Sequence, residues 1–180
     1  MKKSFLLLFA CVAFLFSFSA QAQTEANASR NKYLNAGIGL AAYTAGGLPI
    51  GASFEVGIKE NISVGAFFDY ARYGYNYGGY KWHYNFLYFG ARGSYQLSSL
   101  LEELNMDNSK LEPYAGLSLG VRTAFYTSNV EDDDFDSPYG GGVFLGVHAG
   151  SRYMFSEKLG AFAEVGYGVS ALKLGISAKF

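Results

Sequence analysis

The sequence predicts an all-β protein, an eight-stranded antiparallel up-and-down transmembrane β-barrel. Apolar and polar residues alternate with a period of two in eight segments, which is typical of strands. The chain has 23 Gly and 15 Tyr but 3 Pro, a composition that suits long strands better than helices. The final run, Leu172 to Phe180, keeps an apolar face to its last residue. The ends of soluble sheets usually fray in water, so this face indicates a strand against lipid.

Turn residues divide the alternating segments, and most segments reach the 9–11 residues, roughly, of a tilted membrane strand. The predicted strands are Tyr33–Thr44, Ile50–Lys59, Ile62–Tyr77, Tyr80–Leu97, Tyr114–Thr127, Gly142–Phe155, Leu159–Tyr167 and Ala171–Phe180. Glu60-Asn61 and Ser156 to Lys158 are expected to be tight turns, and Gly46 to Pro49 a short loop. Ser98 to Glu112 and Ser128 to Gly141 are longer connections. An even number of strands places both termini on the same side of the membrane.

The fourth, fifth and sixth strands each have one apolar face and one face of glycine, serine and isolated charges. A soluble sandwich or lipocalin would instead carry many charges outside. If Arg92, Arg122 and Arg152 faced lipid, each would cost roughly 2–4 kcal/mol near the midplane. Three such costs approach the whole stability of a domain, about 5–15 kcal/mol. The three arginines are therefore predicted to point into the lumen.

The first 22 residues have the pattern of a cleaved export signal. Lys2 and Lys3 precede an apolar core, Phe5 to Phe18, and the small residues of Ala20-Gln21-Ala22 follow. The core is shorter than the ~20 apolar residues that a membrane helix needs. Leu8 to Cys11 matches a lipoprotein signal poorly.

We therefore expect residues 1–22 to be a signal peptide, 23–32 a short periplasmic segment and 33–180 the barrel domain. Removing the signal takes away two lysines and the one cysteine, and changes the formal net charge from −1 to −3. This charge gives no reason to expect a nucleic-acid partner. Without cysteine there is neither a disulfide framework nor a thiol-based metal site.

Three motifs carry a resemblance to a known family: Tyr114 to Gly120, Phe162 to Gly168, and the final strand. From Tyr33 to Phe180 the chain resembles the small outer-membrane β-barrels of the OmpA/OmpX-like class. The resemblance implies the outer membrane of a Gram-negative bacterium, with outer-membrane lipid and lipopolysaccharide as neighbours. We expect no peptidoglycan-binding domain, because the chain ends on the last strand of the barrel.

The last strand also resembles the C-terminal assembly signal of bacterial outer-membrane barrels. Lys173, Gly175 and Phe180 fit that pattern, whereas Ala178 stands where the first aromatic residue is usual. The resemblance implies that the barrel-assembly machinery is a partner of this strand.

The alternation also collects the charged residues expected to face the lumen. These are Glu55, Lys59, Asp69, Arg92, Arg122, His148, Arg152, Glu164, Lys173 and Lys179. An eight-stranded interior is filled by side chains, and an uncompensated buried charge costs several kcal/mol. A structural charge network is therefore favoured over a proton or ion pathway. The network is predicted to comprise Glu55, Asp69, Arg92, Arg122, His148, Arg152, Glu164 and Lys173.

Catalysis would need partners for His148, and Ser151 or Asp69 are the candidates. Alternation places His148 in the lumen and Ser151 against lipid, so these two cannot meet. Their spacing also departs from the His-x-Ser pattern of lipid A deacylases, and His83 has no evident partner. No catalytic residue and no cofactor are expected.

The loop Glu131-Asp132-Asp133-Asp134-Phe135-Asp136 is strongly acidic. Its alternate aspartates have the spacing of the first ligands in a calcium loop. Ser137 replaces the required glycine, however, and Val143 stands where the bidentate glutamate would be. A solvated loop without a metal site is favoured, and weak cation bridging to lipopolysaccharide is the alternative.

Aromatic residues surround Gly78-Gly79, namely Tyr73, Tyr75, Tyr77, Tyr80, Trp82 and Tyr84. A two-residue turn at these glycines would pair the six across a hairpin, on its lumen-side face above the membrane. Aromatic cross-strand pairs stabilise a hairpin, so a structural role is sufficient explanation. A sugar- or protein-binding surface is the alternative.

These patterns favour a non-enzymatic integral outer-membrane protein with a structural or surface-interaction role, in adhesion or envelope integrity. The candidate ligand is an extracellular protein or glycan. A narrow pore or transporter for small solutes is the first alternative, and a lipid-modifying barrel enzyme is the second.

Overall fold

The computed structural model describes residues 31–43, 47–77, 80–98, 101, 110–128 and 140–180. The expected signal peptide and most of the segment 23–32 lie outside these ranges, as does the acidic loop. The strands are β1 (Lys32–Ala42), β2 (Ile50–Lys59), β3 (Ile62–Tyr77), β4 (Tyr80–Gln96), β5 (Leu111–Ser128), β6 (Gly142–Met154), β7 (Leu159–Tyr167) and β8 (Ser170–Lys179). Within the described ranges no helix is long and apolar enough to cross a membrane.

The eight strands form a closed barrel in which each strand pairs with its sequence neighbours and β8 pairs with β1. All the pairs are antiparallel. At the closing seam, the backbone N–H of Lys32 donates to the carbonyl of Phe180 at 3.2 Å. The N–H of Phe180 returns a bond to Lys32 at 3.0 Å. The predicted fold class is confirmed.

The strand bounds agree with the sequence pattern to within two residues except at the start of β5. This strand begins at Leu111 rather than at Tyr114. Pro113, which has no N–H to donate, interrupts the alternating pattern there. Its carbonyl nevertheless accepts a bond from the N–H of Leu97 at 2.8 Å, and the residue pairs with Ser151 of β6. The early start puts Glu112 inside the barrel wall, where the sequence pattern had indicated a loop.

The barrel carries its apolar side chains outside. Leu117, Leu145 and Val165 are all more than half exposed. An apolar exterior of this extent is unsuited to water and belongs in lipid. Aromatic pairs lie at both ends of this belt: Tyr153 packs on Phe155 at 5.6 Å, and Tyr43 on Tyr167 at 4.9 Å. Such rings are typical of the two membrane interfaces.

The barrel wall is much taller on one side. β3, β4 and β5 have 16, 17 and 18 residues, whereas β1, β2, β7 and β8 have 9 to 11. β3 pairs with β2 only as far as Tyr70, and β5 with β6 only as far as Arg122. Residues 71–77, 80–86 and 123–128 therefore continue beyond their neighbours as a three-stranded sheet. We call this the projecting sheet, and it lies at the end opposite the termini.

The opposite side of the barrel is shorter. There β7 and β8 are joined by a connection of two residues, 168 and 169. Gly168 has a φ of +147°, a conformation that residues with a side chain rarely adopt. An added Cβ there would also lie 2.8 Å from the ring of Phe144. The rim at this side thus ends close to the aromatic part of the lumen.

Candidate functional site: the filled lumen and the projecting hairpin

The centre of the lumen holds a buried arginine between two carboxylates. The Nε–H of Arg92 donates to Oε1 of Glu55 at 2.8 Å. Its two terminal nitrogens donate to the two oxygens of Glu164, at 3.2 and 2.5 Å. The bonds join β4 to β2 and to β7 across the interior. A bidentate arginine–carboxylate contact of this kind is strong and fixes geometry.

A second arginine, Arg152 of β6, lies fully buried between two aromatic rings. Its guanidinium carbon is 4.1 Å from the ring centroid of Tyr33 and 4.0 Å from that of Tyr114. Its Nη2 lies 3.7 Å from Oε1 of Glu55. Glu55 therefore interacts with both buried arginines, and it is itself fully enclosed.

Neutral polar residues supply further hydrogen bonds to these charges. Arg152 donates to Oδ1 of Asn35 and to Oε1 of Gln96, each at 3.3 Å. The hydroxyl of Ser177 donates to Asn35 at 2.7 Å, and that of Ser63 to Glu55 at 2.7 Å. Although these positions alternate correctly, an Asn, Gln or Ser can face either water or a buried charge. The sequence pattern alone does not distinguish these two environments.

Two lysines pair at the margins of the lumen. Lys173 donates to Oδ1 of Asp69, and Lys179 donates to Oε1 of Glu112 at 2.5 Å. Lys173 stands directly opposite Glu164 in the β7–β8 register, yet its bond goes to Asp69 on β3. The sequence pattern did not identify Glu112 as the partner of Lys179, because it placed Glu112 in a loop. We call the set Glu55, Asp69, Arg92, Arg152, Glu164, Lys173 and their neutral partners the charge network.

His148 is buried, and its Nε2 lies 3.1 Å from Oγ of Ser94. Ser151, the partner considered from the sequence, alternates to the other face of β6 and pairs with Pro113 and Ala163. The cavity beside His148 measures about 50 Å³, which holds a water molecule or two rather than a substrate. Within the described ranges, no group of three or more His, Cys, Asp or Glu could hold a metal ion.

Two of the predicted lumen cations form no ion pair within the described ranges. Arg122 is half-buried on β5 opposite Gly142, the first residue of β6, and it donates to the carbonyl of Gly140 at 3.4 Å. Lys59 is exposed at the end of β2. Lys59 lies at the end of its own strand and Arg122 lies beside the end of β6, so water can solvate each charge without a carboxylate. Alternation identifies the face of the strand on which a residue lies, but not its position along the barrel axis.

Above Arg92 and Arg152 the lumen is filled largely by aromatic residues. The buried members of this aromatic cluster are Phe67, Ala71, Tyr84, Phe86, Tyr88 and Phe144. The ring of Phe144 lies 5.5 Å from Phe67 and 5.1 Å from Tyr88. The sequence pattern had drawn attention only to the charges in the lumen, although these rings occupy the same inward positions.

The aromatic cluster continues into the β3–β4 hairpin. The register pairs Tyr77 with Tyr80, Tyr75 with Trp82 and Tyr73 with Tyr84, as the two-residue turn predicted. The ring of Trp82 lies 5.7 Å from Tyr73 and 5.6 Å from Tyr84. A third strand joins through Tyr126 of β5, 5.1 Å from Tyr84. Contacts among Tyr73, Trp82, Tyr84 and Tyr126 thus stabilise the inner face of the projecting sheet.

The three residues of the assembly pattern have three different environments in the final strand. Lys173 belongs to the charge network, and Phe180 is 68% exposed at the seam. Gly175 faces Gly37 of β1. A Cβ at Gly175 would lie 2.7 Å from the ring of Phe162, which therefore needs this glycine pair to fit in the lumen.

No known protein family matches the sequence, and no curated protein matches it. Solved structures share its fold at low identity. The N-terminal β-barrel domain of OprF from Pseudomonas aeruginosa has a TM-score of 0.53 at 13% identity, covering 84% of this chain and 97% of that one. Neisserial surface protein A (NspA) has a TM-score of 0.51 at 16% identity, covering 84% and 95%.

Ail, the attachment invasion locus protein of Yersinia pestis, has a TM-score of 0.50 at 14% identity, covering 84% of this chain and 95% of that one. These likenesses show the fold. The chain has the fold of small outer-membrane β-barrels, as its resemblance to the OmpA/OmpX-like class implied. The belt of exposed apolar side chains around this barrel belongs in a membrane.

Proposed function

We propose that this barrel is a non-enzymatic surface protein whose β3–β4 hairpin contacts an extracellular protein or glycan. The observation that carries the proposal is the height of the wall. β3, β4 and β5 continue past their neighbours, although a strand of about 9–11 residues suffices to cross the membrane. Segments that stand out from a rigid scaffold are the usual place for recognition.

The projecting sheet is built to hold its shape. Tyr73, Trp82, Tyr84 and Tyr126 form a continuous row of ring contacts across three strands. Cross-strand aromatic pairs contribute about 0.2–1 kcal/mol each. A sheet that is already ordered loses little conformational entropy when it binds, which favours affinity.

A glycan is one of the two ligand classes we propose. One structure of Ail is a complex with the heparin analogue sucrose octasulfate. A barrel of this fold is thus compatible with a sugar-based ligand. For the present chain, tyrosine-rich hairpin residues are suited to sugar and protein surfaces alike, because tyrosine offers a large contact area at low entropic cost.

A narrow pore is the alternative function. The filled lumen speaks against it, because Arg92 and Arg152 cross the interior and the rings of Phe67, Tyr88 and Phe144 lie above them. We expect planar bilayers containing the purified barrel to show no steady single-channel current. A steady open current would favour the pore over the surface role.

A lipid-modifying enzyme is the second alternative. His148 and Ser94 are buried side by side, but the adjoining cavity of about 50 Å³ has no room for an acyl chain. We expect lipid A from cells that express the protein to keep its mass. A shifted lipid A mass would support enzymatic activity.

The surface role is tested by removing the tyrosines at the tip of the hairpin. Tyr75, Tyr77 and Tyr80 are replaced by serine, and Trp82 is retained because its ring packs on Tyr73 and Tyr84. We expect a folded barrel, recognised by its heat-modifiable gel mobility, with reduced adhesion of expressing cells to immobilised heparin or serum proteins.

The matched control replaces Tyr43 and Tyr167, which are exposed on the low rim, with serine. This variant loses surface tyrosines at the same end of the barrel and should adhere like the parent. If the hairpin variant keeps every adhesion of the parent, the tyrosines act only as a structural brace.

We also propose that the last strand is the assembly signal of the barrel. Phe180→Glu should lower the yield of heat-modifiable barrel in the outer membrane, since the residue is lipid-exposed and hydrogen-bonded across the seam. Phe155→Glu, a lipid-exposed aromatic site away from the seam, is the control. Equal yields for the two variants would count against a special role for the last strand.

A further inference from the structure

The barrel wall descends in steps on one side of the projecting sheet. β6 pairs with β5 only up to Gly142, which lies opposite Arg122. β7 ends lower still, because its last residue, Tyr167, lies opposite Val147 of β6. No described residue of β6 or β7 therefore reaches the height of Tyr126 on β5. The inner face of the projecting sheet thus overlooks a low rim, and as part of the barrel wall it is concave towards the barrel axis.

Partly exposed aromatic rings line this inner face. Tyr73 of β3, Trp82 of β4 and Tyr126 of β5 pack against the aromatic cluster, and each is half-buried. We call these three the inner rings. Sites for small ligands are typically concave and lined by aromatic side chains with a few polar groups. A protein interface, by contrast, buries roughly 800 Å² on each partner, which is more than three partly exposed rings offer. The inner face therefore suits a sugar better than a protein surface.

The cation Arg122 lies at the foot of the inner rings, two inward positions below Tyr126 on β5. It is half-buried, and no carboxylate of the described ranges pairs with it, whereas Arg92 pairs with two. A Cβ added to Gly142, directly opposite Arg122, would meet no atom within 4 Å apart from its chain neighbours. There is thus room beside this arginine for an anionic group.

We propose that the inner face of the projecting sheet binds an acidic sugar. The sugar ring packs on the inner rings, and its carboxylate or sulfate group pairs with Arg122. A guanidinium donates two parallel N–H···O bonds to a carboxylate, and arginine suits other planar or tetrahedral oxyanions in the same way. Tyrosine and tryptophan supply rigid contact area at low entropic cost. This inference rests on the proposed surface role, and it places the ligand on the face below the hairpin tip.

The test compares a heparin-derived tetrasaccharide with the same tetrasaccharide after desulfation and carboxyl reduction. Binding to the detergent-solubilised, folded barrel is measured by calorimetry. We expect the parent to bind the acidic tetrasaccharide more tightly than the neutral one. Arg122→Gln should weaken binding of the acidic tetrasaccharide about fivefold, as suits the loss of one partly solvated charged contact. It should leave binding of the neutral tetrasaccharide unchanged.

Arg72→Gln is the matched control. Arg72 is an exposed arginine of the same sheet, and it points away from the barrel axis because the adjacent Ala71 is fully buried. The control removes the same charge from the outer face and should bind both tetrasaccharides like the parent. An equal loss in Arg72→Gln would overturn the proposal, because the attraction would then be one of net charge alone.

Two further outcomes would also overturn the proposal. One is an equal affinity of the parent and Arg122→Gln for the acidic tetrasaccharide. The other is a tetraglutamate peptide that binds the parent as tightly as the acidic tetrasaccharide, since Arg122 would then select charge without regard to the sugar. In either case the surface role stands if the tyrosine-to-serine variant of the hairpin tip still loses adhesion, so the two proposals fail separately.

Discussion

The lumen has two halves that fill the same kind of space with opposite chemistry. Arg92 and Tyr88 occupy inward positions four residues apart on β4, and Phe67 and Asp69 occupy successive inward positions on β3. Arg92 bonds to carboxylates on two other strands, whereas Tyr88 packs against a ring. A shift of two inward positions along a strand is therefore enough to change whether a substitution removes an ion pair or a ring contact.

The halves differ in how their contacts depend on one another. Removing one member of a buried ion pair leaves a charge without a partner, which is strongly destabilising. Removing one ring from an apolar cluster leaves a cavity, and the loss is limited to the contacts of that ring. The charge network should therefore respond to single substitutions more sharply than the aromatic cluster, although a whole network adds little stability over an apolar filling.

The largest effect is expected for Glu55→Leu in the charge network. Glu55 is within 4 Å of both buried arginines, so its removal leaves two cations undercompensated. We expect the free energy of unfolding to fall by roughly 3–5 kcal/mol. Urea titration in lipid vesicles, followed by circular dichroism, measures the change. Glu157→Leu, in the exposed turn between β6 and β7, is the control and should unfold like the parent.

A smaller effect is expected for Phe144→Ala in the aromatic cluster. The substitution removes ring contacts with Phe67 and Tyr88 and should lower the free energy of unfolding by about 3 kcal/mol. Phe125→Ala, which truncates an exposed ring on the projecting sheet, should lower it by less. A loss larger than that of Glu55→Leu would reverse the ranking of the two halves.

Replacing the charged centre as a unit sharpens the comparison further. The combined substitution Glu55→Leu, Arg92→Met, Arg152→Met and Glu164→Leu removes two acids and two bases, so no net charge is left behind. We expect this variant to lose less stability than Glu55→Leu alone, about 2 kcal/mol, because no buried charge remains unpaired. The same urea titration decides the point. A loss well above that of the single variant would show that the charges contribute more than mutual compensation.

The smallest effect is expected at Arg122, which belongs to neither half. Its bond to the carbonyl of Gly140 is long, at 3.4 Å, and exposed. Arg122→Leu should reduce the free energy of unfolding by about 1 kcal/mol or less, and Lys110→Leu, at an exposed position before β5, by less still. Identical urea midpoints for the two variants would mean that the bond to Gly140 contributes nothing measurable.

Much of the fold could be predicted from the sequence because strand alternation is a local property. Ile50–Lys59, Ile62–Tyr77 and Leu159–Tyr167 have the bounds that their patterns predicted. The start of β5 could not be predicted, since Pro113 disrupts the local pattern while distant residues complete its pairing. Local patterns identify a strand, and its last few residues depend on its neighbours.

In the candidate sites, too, local pattern predicts some features and contacts between distant residues determine the others. Alternation assigned Glu55, Arg92, Arg152 and Glu164 to the lumen, but it could not say which charges would meet. Lys173 faces Glu164 across a strand pair and yet bonds to Asp69 from the other side of the barrel. Such a choice depends on the tilt and stagger of all eight strands, which no single segment encodes.

The seam between β1 and β8 has a consequence for the order of the chain. Lys32 and Phe180 exchange two backbone hydrogen bonds, so the two ends of the barrel wall lie side by side. A short peptide could join them, and the chain could be opened instead in the two-residue connection after Tyr167. Every strand would keep both neighbours in such a circular permutant. The ring of strands defines this architecture, and which strand is made first is incidental to it.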